Sequence, residues 1–371
     1  MAQSPTISSW HLSHSPAVAI YRAGQFREYW TYAEPRLSAG QSSAVSSLPA
    51  ESNRGLSLRL QKLDQQLAEQ RQAGDRPGEI LTLCALAQLH SPYQPGYALD
   101  LLAQAKTLSQ DLQNRGLETT VLNTLSSLYL RLGQPKRAFM LCKTLLSVRR
   151  ALSDRPGEAS TLNNLALIYS ELGQFQAALD LFKQALVIQQ ESHDFAREAF
   201  TLSNLGSLYS DIGEPQRALL IYHPVLLQQQ AQGDRPGEAV TLSNLGCVYR
   251  DLENYTAALD LHNQALEIRR EQGDRVGEAI TLTNIGFVYR DLEQPRLALD
   301  HYNQALAIRR QLSDRVGEAT TLLNIGSIWA DVKRHDWANS FYQQARKLAD
   351  EADSPAVGHW AWQLIQGLPH S

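Results

Sequence analysis

Apolar residues recur along most of the chain at the three-and-four spacing that lines one face of an α-helix. Leu242, Leu245, Gly246, Tyr249 and Leu252 mark one such face. After a turn at 251–254 a second face follows through Tyr255, Ala258, Leu259, His262, Ala265, Leu266 and Ile268. The pair then returns. Asp154, Asp194, Asp234, Asp274 and Asp314 stand 40 residues apart, each followed four positions later by Glu158, Glu198, Glu238, Glu278 or Glu318. The block extends back to Glu118 and Glu79, so the pattern predicts seven helix pairs at about 75–113, 114–153, 154–193, 194–233, 234–273, 274–313 and 314–352. The punctuation agrees: Asp234 suits an N-cap, Pro236 a first turn, and Gly233 the left-handed close of the preceding helix. Two short helices cannot bury both of their stripes alone. Stacked neighbours bury them in one continuous core, which is the physical reason to repeat the unit.

The ends depart from the repeat. Residues 1–50 are rich in Ser, Pro and Ala around one aromatic island at 19–36, and read as largely flexible. Residues 51–73 predict a helix that caps the first pair, and residues 353–371 a C-terminal capping helix and tail. The N-terminus has neither a basic leader nor a continuous apolar run, and no stretch reaches the eighteen or so apolar residues of a membrane span. A cytoplasmic protein without membrane insertion is the expectation.

Leu245-Gly246-x-x-Tyr249, then Ala258 and Ala265, resembles the signature of the tetratricopeptide repeat, or TPR. The match recurs at Leu165, Ala166, Tyr169, Ala178 and Ala185, and again at Ile285, Gly286, Tyr289, Ala298 and Ala305. The resemblance implies an all-α, right-handed α-solenoid of helix-turn-helix repeats. The period of 40 exceeds the usual 34 of the family and is similar to that of kinesin light chains and of bacterial TPR arrays. Kinesin light chains carry a long N-terminal heptad region, for which only 54–72 stands here, and their inter-repeat loop has His-Pro where this chain has Asp-Arg-Pro/Val-Gly-Glu.

Composition narrows the function by exclusion. A formal net charge of −4 gives no footprint for nucleic acid. The three cysteines are far apart and form no metal or disulfide pattern. No phosphate-binding loop, dinucleotide fingerprint, zinc-protease motif or nucleophile elbow occurs, so no enzyme, cofactor or metal is expected. His262 falls in the slot that other units fill with Phe182, Tyr222 and Tyr302, which predicts a packing residue. The Asp-Arg-x-Gly-Glu block reads as caps and repeat-to-repeat contacts.

One column of the first helix points beyond packing. Counting so that Leu242, Leu245, Gly246 and Tyr249 are positions 4, 7, 8 and 11, positions 2, 6, 9 and 13 turn toward the opposite side. Position 6 is Asn164, Asn204, Asn244, Asn284 and Asn324, although Asn is a poor residue inside a helix. Position 9 varies: Leu167, Ser207, Cys247, Phe287 and Ser327. A carboxamide both donates and accepts, so a ladder of them suits the backbone of an extended peptide. In the family such stripes line a concave peptide groove. Position 13 adds acids, including Asp251 and Asp291, and Arg250 and Arg290 precede those two. The expected function is a non-catalytic scaffold that binds an extended peptide or short helix of a protein partner. The alternatives are a kinesin-light-chain-like cargo adaptor and a regulatory subunit of a separately encoded effector enzyme.

Overall fold

The computed structural model describes residues 52–91, 94–132, 134–352 and 354–369. The expectation for residues 1–50, with their aromatic island, lies outside the described residues. Among the described residues there are sixteen helices and no strand. They fall into two compact units divided between Gly233 and Asp234.

The first unit holds α1 (Ser52–Ala73) followed by four pairs: α2 (Arg76–His90) with α3 (Pro95–Asp111), α4 (Arg115–Arg131) with α5 (Pro135–Ala151), α6 (Arg155–Glu171) with α7 (Phe175–Glu191), and α8 (Phe195–Asp211) with α9 (Pro215–Gln232). The second holds three pairs and a last helix: α10 (Arg235–Asp251) with α11 (Tyr255–Glu271), α12 (Arg275–Asp291) with α13 (Pro295–Gln311), α14 (Arg315–Asp331) with α15 (His335–Glu351), then α16 (Pro355–Gln366). Within each unit the two helices of a pair pack together, and the second packs on the first helix of the next pair. Each unit is thus a solenoid stack of helix-turn-helix repeats. α1 packs on α2, and α16 packs on α15, burying Val357 and Ala361.

The repeated aspartates start the first helices. Asp75, Asp154, Asp234, Asp274 and Asp314 each accept a hydrogen bond from the backbone N–H three residues on, at 2.9–3.1 Å. Asn114 does the same for α4. Among the described residues, turns close on left-handed residues at Gly74, Gly173, Gly213, Gly233 and Gly273 and at seven non-glycine positions from Gln113 to Lys333.

Position 8 sets how close the paired helices come. A Cβ at Gly206, Gly246, Gly286 or Gly326 would lie 2.4–2.7 Å from ring atoms of Tyr222, His262, Tyr302 or Tyr342. Those rings are buried, and the apolar core runs past them along each stack. Glycine is required where the ring sits on the helix backbone. A larger residue would part the pair.

Candidate functional site: the first-helix stripe

The position-6 asparagines do not stand on an open face. Asn204, Asn244, Asn284 and Asn324 are buried and Asn164 is half-buried, which corrects the orientation expected from a single helical wheel. The reason is the stacking of first helices within a unit. Asn204 Nδ2 donates to Asn163 Oδ1 at 3.1 Å, and Asn284 Nδ2 donates to Ser243 Oγ at 3.3 Å. Both bonds step 41 residues back, from position 6 of one repeat to position 5 of the one before. A wheel drawn for one helix cannot contain that neighbour.

The charged column makes the same step. Arg250 Nε bonds Asp291, and Arg290 Nε bonds Asp331 Oδ2 at 2.7 Å. The Arg250 side chain is only 13% exposed, and its guanidinium also lies 5.5 Å from the Phe287 ring centroid. Burial works against the charge of Arg290, but the hydrogen bond and attraction of Asp331 outweigh it and its pKa rises. Arg250 and Asp291 are therefore brought together, and Arg290 is matched to the acid of the following repeat. Asp251 is exposed at the end of α10.

Asn204 Oδ1 and Asn324 Nδ2 are buried with no hydrogen-bond partner in the protein. Position 5 of the last repeat is Leu323, and the Thr283 hydroxyl one repeat back is committed to Ala279 O at 2.8 Å.

Position 9, which varies in sequence, is matched to the ring of its own repeat. Ser207 Oγ and Tyr222 Oη lie 2.9 Å apart, and Tyr342 Oη donates to Ser327 Oγ at 3.3 Å. Where position 9 is Phe287, it meets Tyr302 edge-on at 5.7 Å between centroids. The variation is thus coupled packing rather than free drift. The partner lies fifteen residues on in the same repeat, a spacing the sequence contains but a single helical face does not show.

The recurring turn block forms a clamp between repeats. Glu158 on α6 accepts from Arg150 Nε at 2.7 Å and Arg155 Nη1 at 2.9 Å, and Arg155 also reaches Glu191 at the end of α7. Arg270, Glu278 and Arg275 repeat the arrangement on α12, with Gln311 in place of the last acid. Arg149 adds a second tie, donating to Thr161 Oγ1 at 2.6 Å.

His262 and the three cysteines are buried. His262 is fully buried with neither ring nitrogen hydrogen-bonded; burial first, then Arg250 and Arg269, push its pKa down to about 3. Burial pushes the Cys84 thiol up to about 12 and that of Cys142 to about 11, which suppresses the thiolate. Among the described residues no three His, Cys, Asp or Glu side chains are grouped to hold a metal ion, and no helix is long and apolar enough to cross a membrane.

Fold and stripe together define an all-α repeat array built from stacked helix-turn-helix units. The sequence model of the tetratricopeptide repeat matches residues 117–191, 197–271 and 277–351, more than half of the chain, and the chain belongs to that family. No curated protein matches it. Among solved structures it is similar to BtubC from P. vanneervenii, at 24% identity and TM-score 0.51, over 58% of this chain and 91% of that one. The apo form of the quorum sensor NprR from B. thuringiensis is 17% identical with TM-score 0.58, over 92% of this chain and 90% of that one. Aspartyl phosphate phosphatase F from Bacillus subtilis is 11% identical with TM-score 0.59, over 100% of this chain and 98% of that one. At these identities the likeness is one of fold.

Proposed function

We propose that the protein is a non-catalytic interaction scaffold that binds an extended peptide or short helix of a protein partner along the first-helix stripe. The observation that carries the reading is the unspent amide nitrogen Asn324 Nδ2 in the second unit, in a column that repeats Asn five times. A buried amide without a partner costs free energy, and a peptide carbonyl would relieve that cost. In this reading the remaining asparagines have a second task, holding consecutive repeats in register. The Arg250–Asp291 and Arg290–Asp331 pairs then tune selectivity, because an acidic ligand competes for the arginines. The likeness in fold to a quorum sensor, over 92% of this chain, is in keeping with the alternative of a regulatory subunit of a separately encoded effector enzyme.

Asn324→Ala tests the proposal, since Asn324 Nδ2 has no protein bond to lose. With a partner peptide mapped by crosslinking, titration calorimetry should show affinity falling about tenfold, roughly 1.4 kcal/mol, while the melting temperature does not fall. Asn284→Ala is the control: it should cost about 1 kcal/mol of stability through the bond to Ser243. Wild-type affinity in Asn324→Ala would remove the stripe from the binding site.

A further inference from the structure

In three repeats position 9 meets the ring of its own second helix. Ser207 Oγ and Tyr222 Oη lie 2.9 Å apart, Tyr342 Oη donates to Ser327 Oγ at 3.3 Å, and Phe287 stands edge-on to Tyr302. In the repeat at 234–273 the same two positions carry Cys247 and His262. The imidazole lies flat on the α10 backbone at Gly246, where Cε1, Nδ1 and Nε2 would stand 2.7–2.8 Å from an added Cβ, and Cys247 is the next residue. The repeat geometry thus turns the ring edge toward the thiol. The pair is fifteen residues apart across a turn, so no ligand motif announces it in the sequence.

His262 is 0% exposed, and neither ring nitrogen has a hydrogen-bond partner. A buried polar group of this kind normally finds one. Tyr222 and Tyr342 in the same slot direct their hydroxyls to position 9, and the shorter imidazole stops before that hydroxyl's place. An ion there would touch both nitrogen and sulfur. With metal bonds of about 2.0 Å to nitrogen and about 2.3 Å to sulfur, a linear nitrogen–metal–sulfur unit spans about 4.3 Å. That is longer than a hydrogen bond, in keeping with the idle ring nitrogens.

Charge and donor type narrow the ion. Thiolate sulfur selects soft metals, and imidazole suits copper. Arg250 and Arg269 both act on His262 and resist added positive charge. A thiolate and a monovalent ion sum to zero, whereas a divalent ion would leave a buried net charge. Zinc takes four ligands, and among the described residues no third His, Cys, Asp or Glu is grouped here. Burial, then Arg250 and Arg269, hold the imidazole pKa down at about 3, which keeps its lone pair available at neutral pH. We propose that Cys247 Sγ and one ring nitrogen of His262 form a linear two-coordinate site for Cu(I) or another soft monovalent ion. As the sulfur–metal bond forms, the thiol proton leaves to solvent and the ion keeps its oxidation state. The site does not depend on peptide binding along the first-helix stripe.

The test titrates the reduced full-length protein with Cu(I), without oxygen, against a chromophoric Cu(I) chelator. One equivalent should bind, and X-ray absorption of the wild-type complex should show one sulfur and one imidazole nitrogen on the metal. Cys247→Ser copies Ser207 and Ser327, and His262→Tyr copies Tyr222, Tyr302 and Tyr342, so each installs a side chain the array already holds at that position. Each should lower Cu(I) affinity at least a hundredfold, while Cys84→Ser and Cys142→Ser leave it unchanged. Unchanged affinity in Cys247→Ser or His262→Tyr overturns the proposal, as does binding that follows Cys84 or Cys142, or displacement of Cu(I) by an equal concentration of Zn(II). A wild-type absorption spectrum that lacks either sulfur or imidazole overturns it without reference to how any variant folds.

Discussion

His262 shows what one residue does to a repeat. It fills the slot of Phe182, Tyr222, Tyr302 and Tyr342, flat against the Gly246 backbone, but brings two ring nitrogens into a place with no partner for either. Protonation is opposed by burial and by Arg250 and Arg269, so the folded pKa is about 3 against 6.5 for a free imidazole. The unfolded chain binds the proton first as pH falls. Stability is therefore full above about pH 6.5 and declines from there toward pH 3, at about 1.4 kcal/mol per pH unit from this one site. His262→Phe, which copies the Phe182 slot, should be at least as stable as wild type at pH 7 and clearly more stable at pH 5. Urea unfolding at the two pH values measures the difference, and an equal gap at both would show that His262 is solvated.

At the scale of the element, helix starts serve two purposes. The Asp-Arg-x-Gly-Glu block caps a first helix, and its glutamate also ties that helix to the end of the previous repeat. Burial raises the Glu158 carboxyl, but hydrogen bonds from Arg150 and Arg155 lower it further, and the net pKa lies below the ordinary carboxylate value. That contribution is present above the unfolded carboxylate pKa and is lost as pH falls through the folded one. The arginines are half exposed, so screening holds the effect of Glu158→Gln to about 1 kcal/mol at neutral pH. The variant should also flatten the acid limb of the stability curve below about pH 5; an unchanged limb would assign acid sensitivity elsewhere. The cap was legible in the sequence because it depends on neighbours three residues away. The helix pairs were legible for the same reason, through a short period. The links from Asn204 to Asn163, Asn284 to Ser243 and Arg250 to Asp291 were not, because a 41-residue step appears only once first helices are stacked. The stripe is legible in the sequence by its composition, while its burial depends on the neighbouring repeat.

For the whole molecule, contacts that reach only the adjacent repeat make stability a sum over neighbours within each stack. Removing 275–314 tests this with an almost seamless junction. Asp274 then precedes Arg315-Val316-Gly317-Glu318, which repeats the Arg275-Val276-Gly277-Glu278 it normally precedes. Every stitch finds an equivalent: Asp274 caps toward Gly317, Arg270 meets Glu318, Asn324 meets Ser243, and Arg250 meets Asp331. Even Asn324, without a hydroxyl to bond in the intact chain, gains one. The shortened protein should keep its helicity per residue and a cooperative transition, with a urea m-value lower roughly in proportion to the residues removed. Removing 275–294 alone takes out α12 with its turn and leaves α13 without the glycine-bearing helix that receives Tyr302. That variant should lose several kcal/mol, since a large buried ring is left without its core. Circular dichroism during urea titration separates the two. Equal loss in both deletions would mean that stability in this stack is carried by something other than nearest-neighbour register.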